Sequence, residues 1–467
     1  MSHSGKPSSG NGLSHRQSML IFLSLLVSSI VASFLSTALN TALPAMIEAL
    51  SVDVDTGQWI TSGFSLAMGI VMPLTAFLIT RFPTKRLYLA GLLLFIGGSA
   101  LCALSGSFVP MMIGRVLQAA SNGILVAMTQ VVILSIFPKE KQGSYMGWYG
   151  LAVSAAPMVA PTLGGLLVDA LGWRSIFWIV AGVMTLSFVL AVFVFKDVLE
   201  VQRHSFDILS FVISVFAFGG ITLGAGRLSS KGITDPLTAA ALGIGLAASA
   251  VFAVRQLKAS EPFLNIRILK NKNYAVSVAG SVILYLIMMG GTVLTPLYLQ
   301  RVVGLKAAVS GLLTLPGSLA SIICSPIAGK LYDRLGMKKL FLLGGALFVL
   351  GNIGMIFPEP LPVLVVFYAV RSAGISFLMM PFVTWGIAGI RDKGATAHGT
   401  ALLTSLRTIA GAIGTAVFVG VMSSASASGV GMASPNPGLF GFRIAAIAMS
   451  AAAVVMFIAG AVLIREE

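Results

Sequence analysis

Carboxylates, cysteines and histidines are scarce in this chain, and each scarcity removes a class of function. The 467 residues hold 15 Asp and Glu against 30 Lys and Arg, with two cysteines and four histidines. Only 10% of residues are charged, whereas soluble domains carry about 25%. Cys102 and Cys324 stand in apolar runs far from any histidine, so they read as buried thiols rather than a disulfide or a metal pair. Asp53 and Asp55 are close in a loop but have no further ligand nearby, which argues against a metal-dependent enzyme at a membrane face. No cofactor or metal is expected. A channel would show a selectivity filter or a charged ring, and a receptor a soluble signalling domain; the sequence offers neither.

What it does have is apolar length. Hydrophobic residues make up 57% of the chain, in recurring runs of about 20 residues, each long enough to span a bilayer core. The expected class is an all-α polytopic membrane protein with fourteen spans. The first six run over residues 19–47, 58–80, 87–106, 109–136, 143–169 and 175–195. Two follow at 208–226 and 237–254, and six more at 275–299, 308–331, 338–357, 361–389, 398–423 and 443–464. The domains then read as a disordered N-terminus (1–18), a six-helix bundle (19–195), two linker helices (208–254), a basic linker (255–274) and a second bundle (275–464). The polar opening segment is followed by a hydrophobic run much longer than a signal-peptide core and without a cleavage pattern, so no removed leader is expected.

An even span number puts both termini on one side. With that side cytoplasmic, the inner segments carry twenty-one of the 30 basic residues and the outer segments six, as the positive-inside rule requires. Orientation and anionic lipid account for the net charge of +15. The basic residues are dispersed rather than gathered in one footprint, so nucleic acid is not an expected partner. The protein reads as a monomer in the lipid bilayer.

Residues 147–167, GWYGLAVSAAPMVAPTLGGLL, concentrate Gly147, Gly150, Gly164, Gly165, Pro157 and Pro161 within one apolar span. In lipid, neighbouring helices must satisfy the backbone groups that proline frees, and small residues let helices approach closely. This predicts a bent, close-packed helix at a moving contact. The chain also repeats itself. AFLITRFPTKR (76–86) follows the second span and AGKLYDRLGMKK (328–339) the tenth, while Arg115 and Arg371 sit near the starts of the fourth and twelfth. Such internal repeats mark secondary transporters, whose substrate site lies between the halves.

These residues carry a family resemblance. GKLYDRLGMKK (329–339) resembles the loop signature of the major facilitator superfamily, RVLQAASNG (115–123) its fourth-helix arginine motif, and AAPMVAPTLGG (155–165) its fifth-helix antiporter motif. FLSTALNTALP (34–44) and GWRSIFWI (172–179) are similar to the first- and sixth-helix motifs of its fourteen-helix drug/proton antiporters. TRFPTKRLY (80–88) is similar to the corresponding segment of lincomycin-resistance-type exporters. The resemblance implies two six-helix bundles with two helices between them, alternating access, and export of small molecules in exchange for protons. Transport of a metabolite, lipid or lipid precursor, outward or inward, is the rival reading.

Arg115 is the first candidate for proton coupling, because a guanidinium within a span is normally paired or faces a water-filled cavity. Gln118 and Asn122 share its face. The first-helix motif usually carries an Asp where this chain has Leu35, so Glu48 and Asp207 are the substitute carboxylates. His398 lies at a span edge and reads as a loop residue. Cavity candidates are Asn40, Trp59, Phe64, Gln118, Asn122, Trp148, Tyr149, Tyr285 and Met288, with Arg371 and Arg407 as further intramembrane cations. An apolar pocket with a few hydrogen-bonding groups suits amphipathic compounds. In the loop signature, Gly329 allows close packing, Gly336 a tight turn, and Asp333 beside Arg334 can pair with an arginine or accept from a helix N-terminus. Thr80 and Pro83 replace the Asp and Gly of the first copy, which assigns the latch mainly to the second copy or to helix-end contacts instead.

Overall fold

In the computed structural model, residues 13–199, 201, 206–259, 262–390, 393–431 and 435–464 are described. They fold into α1 (His15–Ala49), α2 (Val54–Arg81), α3 (Thr84–Leu104), α4 (Phe108–Ile136), α5 (Lys139–Leu171), α6 (Arg174–Val194), α7 (Ile208–Lys231) and α8 (Pro236–Lys258). A 3₁₀ turn (Ile266–Lys270) precedes α9 (Lys272–Leu297), which runs on through a π turn at Tyr298–Val302. The next helical stretch, Ala307–Gly354, is 48 residues long and is broken at Gly336 (φ 75°, ψ 177°) into α10 (307–335) and α11 (337–354). Unbroken it would reach about 70 Å at 1.5 Å per residue, more than twice a hydrocarbon core. The chain ends with α12 (Leu361–Ala388), α13 (Lys393–Gly431) and α14 (Pro437–Leu463). The described residues thus form an all-α membrane fold of fourteen helices without strands.

Local chemistry sets the ends. Ser14 accepts from the Gln17 amide while the Gln17 side chain accepts from the Ser14 amide, a reciprocal capping box. Helix α1 therefore starts four residues before the expected span, and residues 15–18, expected to be disordered, are helical; residues 1–12 lie outside the described set. Asp53, Asp207 and Asp235 cap α2, α7 and α8 with carboxylates that accept from the amides of Thr56, Ser210 and Thr238.

Helices α1–α6 and α9–α14 form the two bundles, and the α7–α8 hairpin lies outside them with α7 against α2 and α13. Gly220 and Gly245 bring α7 and α8 into close contact: a Cβ on Gly220 would stand 2.8 Å from the Gly245 Cα. An ion pair closes each end of the hairpin, Arg255 to Asp207 at 2.9 Å and Arg227 to Asp235 at 3.0 Å. Two hydrophobic cores fill the bundles. The first extends from α1–α6 across to Tyr274, Val278, Val383, Ile387 and Leu403 of the second bundle. Those residues lie at the end of the molecule where α1 begins and α14 ends. At the opposite end the bundles keep separate cores.

A central cavity between the two bundles

The space between the bundles is a cavity of two lobes, about 320 Å³ and 300 Å³, that share Val153, Pro157, Tyr285, Met379 and Met380. The first lobe is bounded by α1, α2, α4, α5 and α13, with Phe64, Asn122, Gln130, Tyr149 and Arg407 on its wall. The second is bounded by α5, α9, α10 and α12, with Met288, Ser321, Ser325, Tyr368 and Arg371. Pro157 stands in the wall common to both, so the central part of residues 147–167 is cavity wall. Together the lobes match the size of drug-binding clefts, about 300–1,000 Å³, and combine Met and aromatic surface with isolated polar groups. No described carboxylate lines either lobe.

On the side where α1 begins and α14 ends, α5 and α10 seal this cavity. Asp333 accepts hydrogen bonds from the amides of Gly143 (2.9 Å) and Ser144 (2.8 Å) and from the Ser144 hydroxyl. Both amides lie near the N-terminus of α5, where the helix dipole favours a carboxylate. Above this contact the backbones touch. A Cβ on Gly147 would lie 2.7 Å from the Ser325 carbonyl oxygen, and Gly143 meets Gly329 directly. Gly150 approaches Met380, with 3.0 Å to its Cγ for an added Cβ. Further along, Gly164 packs on Ala38 of α1, whose Cβ would stand 3.0 Å from a Cβ added at Gly164. The axis of α5 turns by 45° between Lys139–Ala160 and Leu163–Leu171; the side chain of Pro161 lies outside the described set. The polar contacts of the first-half copy stay within its own bundle, while Phe77 packs on Phe206 and Phe263 of the segments that flank α7 and α8. Thr80 donates to the Ala76 carbonyl, and Lys85 donates from Nζ to Val192 and from its amide to Asp197. Arg334 is exposed.

Arg115 lies behind the cavity wall, not on it. Its Nε donates to the Ile60 carbonyl (2.8 Å) and Nη1 to Gln118 (2.8 Å), whose amide donates to Ser99 (2.9 Å). The guanidinium lies over the Phe64 ring, 4.2 Å from its centroid, and Phe64 is the surface that the lobe meets. The arginine thereby joins α4 to α2 and α3. Arg371 occupies the matching place in the second bundle but grips other neighbours: Nε donates to Asn352 of α11 (3.1 Å) and Nη2 to the Ile287 and Met288 carbonyls of α9 (2.8 and 3.1 Å). Unlike Arg115, it also reaches the lobe.

Several expected residues stand elsewhere. Asn40, Trp59 and Trp148 are exposed and line neither lobe. Gln118 is turned into the Arg115 network, and Cys324 is only half-buried. Glu48 is exposed near the end of α1. Asp207 faces Arg255 at the α7–α8 contact. Burial raises its carboxyl, but the Arg255 guanidinium and the Ser210 hydroxyl and amide outweigh this and hold it at about 2. His398 is half-buried, its Nδ1 accepting from the Asn265 amide; the side chain of Asp55 lies outside the described set. Asn122, Phe64, Tyr149, Tyr285, Met288, Arg371 and Arg407 do meet at the cavity.

Sequence reasoning missed Gln130, Met379, Met380 and the serines of α1. Two signals could have found them. Gln118, Asn122, Val126 and Gln130 are four apart, one stripe of α4, and Ser29, Ser33, Ser36 and Thr37 repeat at helical spacing on α1.

Comparison with known proteins agrees with this architecture. A profile of the Major Facilitator Superfamily matches residues 25–415. The MFS-type transporter YhcA of Bacillus subtilis (strain 168) is 35% identical over 82% of this chain and 72% of its own. The lincomycin resistance protein LmrB of the same organism is 33% identical over 87% of this chain and 86% of its own. Among solved structures, the human organic anion transporter MFSD10 (TETRAN) superposes with a TM-score of 0.66 at 14% identity, covering 95% of this chain and 98% of that one; at that identity the likeness speaks for the fold alone. With two bundles, two intervening helices, the profile match and these relatives in agreement, the chain belongs to the major facilitator superfamily of multi-pass membrane transporters.

Proposed function

We propose that this protein exports amphipathic small molecules across the bacterial cytoplasmic membrane by alternating access, in exchange for protons. The observation that carries the reading is the two-lobed cavity between the bundles, sealed at one end by the Asp333–Ser144 contact and the glycine packing above it. With both termini cytoplasmic, as the distribution of basic residues supports, the sealed end faces the cytoplasm and the conformation is outward-facing. A cavity walled by Met68, Met72, Met288, Met379 and Met380 adapts to varied apolar bodies. The likeness to LmrB, a lincomycin resistance protein, supports drugs as cargo.

Of the three coupling groups expected from sequence, Arg115 is the one in contact with the cavity wall, through Phe64. We assign it coupling by position: movement of Phe64 on cargo binding is felt at the Ile60 and Gln118 bonds that hold α2 and α3. Glu48 and Asp207 have no such link.

The test is a drug-susceptibility panel in a host stripped of its own pumps, repeated with the proton gradient collapsed. Raised resistance to at least one amphipathic compound, lost on collapse, is the expected result. No shift for any compound would transfer the reading to a metabolite or lipid cargo.

A further inference from the structure

Resting on the transport reading, we propose that Arg407 is the docking point for an acidic group on the cargo, so that the preferred substrate is an amphipathic organic anion.

Arg407 projects from α13 into the first lobe and is 5% exposed. Its guanidinium lies over the Tyr285 ring, 4.5 Å from the centroid, and its Nη1 is buried without a hydrogen-bond partner. The two other deeply buried arginines are bound differently. Arg115 is held by Ile60 and Gln118, and Arg371 by Asn352 and the α9 carbonyls. A buried cation that lacks an anion is costly, and a single aromatic face repays only part of the cost.

No described carboxylate lines either lobe to supply that charge. A permanent cation brought into the first lobe would be repelled by Arg407. An anion would meet a planar fork of donors suited to a carboxylate, sulfonate or phosphate, with bidentate geometry available. Gln130 adds a second polar contact on the same lobe. Its side chain reaches the Tyr149 hydroxyl, while its oxygen is buried without a hydrogen bond and can accept from a hydroxyl or amide beside the acid. Met68, Met72 and Phe64 would receive the apolar body. The second lobe offers no equivalent, since the protein itself occupies two of the three guanidinium nitrogens of Arg371. The acid end therefore goes to the first lobe, and the body extends past Tyr285 toward the second.

The experiment uses two dyes with the same xanthene body and opposite charge, anionic fluorescein and cationic rhodamine 123, and reads their binding to the purified full-length protein in detergent by fluorescence anisotropy, with no gradient present. Wild-type protein should bind fluorescein more tightly than rhodamine 123. Arg407→Gln should weaken fluorescein binding at least about tenfold, which is 1.4 kcal/mol, while rhodamine 123 binding holds or tightens. Arg407→Lys should fall between, keeping charge but losing the fork, and it serves as the test if the glutamine variant does not fold. Wild-type protein that ignores fluorescein or binds both dyes alike, or an Arg407 variant that stays folded yet retains fluorescein or loses both dyes in parallel, overturns the proposal. Selective fluorescein binding without gradient-driven efflux would sink the export reading and leave this site standing. Proton-driven efflux of a cationic drug at the wild-type rate by Arg407→Gln, with no fluorescein discrimination, would do the reverse.

Discussion

Asp333 and Ser144 are joined twice, once through the Ser144 amide and once through its hydroxyl, although 189 residues separate them in the chain. They sit on opposite bundles, so their contact exists only while the cavity is sealed at that end. Asp333→Asn keeps the shape but removes the charge. Hydrogen bonds to a charged group contribute about 1.5–3 kcal/mol, so the sealed population should fall by roughly ten- to a hundredfold relative to the unsealed one. The check is maleimide labelling of Ser325→Cys from the terminus side, in a background with Cys102 and Cys324 replaced by Ser. Unchanged labelling after Asp333→Asn would remove the latch assignment.

The glycines of α5 divide sharply by position. A Cβ on Gly147 would crowd the Ser325 carbonyl oxygen at 2.7 Å, whereas on Gly165 it would meet only the Thr41 methyl at 3.6 Å. Gly147→Val should therefore hold the two bundles apart and stop transport, while Gly165→Ala retains flux within about a factor of two. Both variants are compared for flux in vesicles at matched protein insertion. A Gly147→Val protein that transports normally would show that the α5–α10 contact need not close.

Asp207 supplies a prediction about pH with a definite sign. Its carboxyl is held at about 2 in the folded protein, below the unfolded value of about 3.9. A depressed carboxyl stabilises fully above the unfolded pKa and loses that contribution as pH falls through the folded one. Between pH 5 and pH 8, bracketed by thermal unfolding, Asp207→Asn should lower stability by the same amount throughout (about these pH limits nothing titrates at this site). The pH profile of transport should not move. A shifted profile would reinstate Asp207 as a proton carrier.

Glu48 and Arg115 should separate in the same assay. Glu48 is exposed and remote from the cavity, so Glu48→Gln should leave flux within about twofold, as for surface charges generally. Arg115→Ala removes a buried cation that holds Ile60 and Gln118. It should abolish flux and also lower thermal stability, since each hydrogen bond from a charged group contributes about 1.5–3 kcal/mol. An equal loss from Glu48→Gln would make Glu48 the coupling carboxylate.

Much of the architecture was legible in the sequence because bilayer thickness constrains it. Apolar runs, basic turns and the repeated loop gave all fourteen helices, and the breaks at Gly172 and Gly336 coincide with glycines at positive φ. The cavity was only partly legible. Phe64, Tyr149, Tyr285 and Met288 were anticipated as side chains that an interior could use, but Trp148 beside Tyr149 points outward by one step of the helix. Hydrophobicity does not separate a lipid-facing side from a cavity-facing one, since both are apolar. The roles of Arg115 and Arg407 were opaque for a related reason. One is held by partners from α2 and α4, and the other is left open by the chain's scarcity of acids; only three-dimensional placement distinguishes them.

Gly336 joins α10 to α11 through a single non-helical residue. A connection that short has no slack, and the Asp333 contact lies three residues from this elbow. The far arm carries Asn352, which holds Arg371 at the second lobe. On the transport reading, a displacement at the seal would reach the second lobe along this path, and lengthening the elbow by inserted glycines should loosen that link.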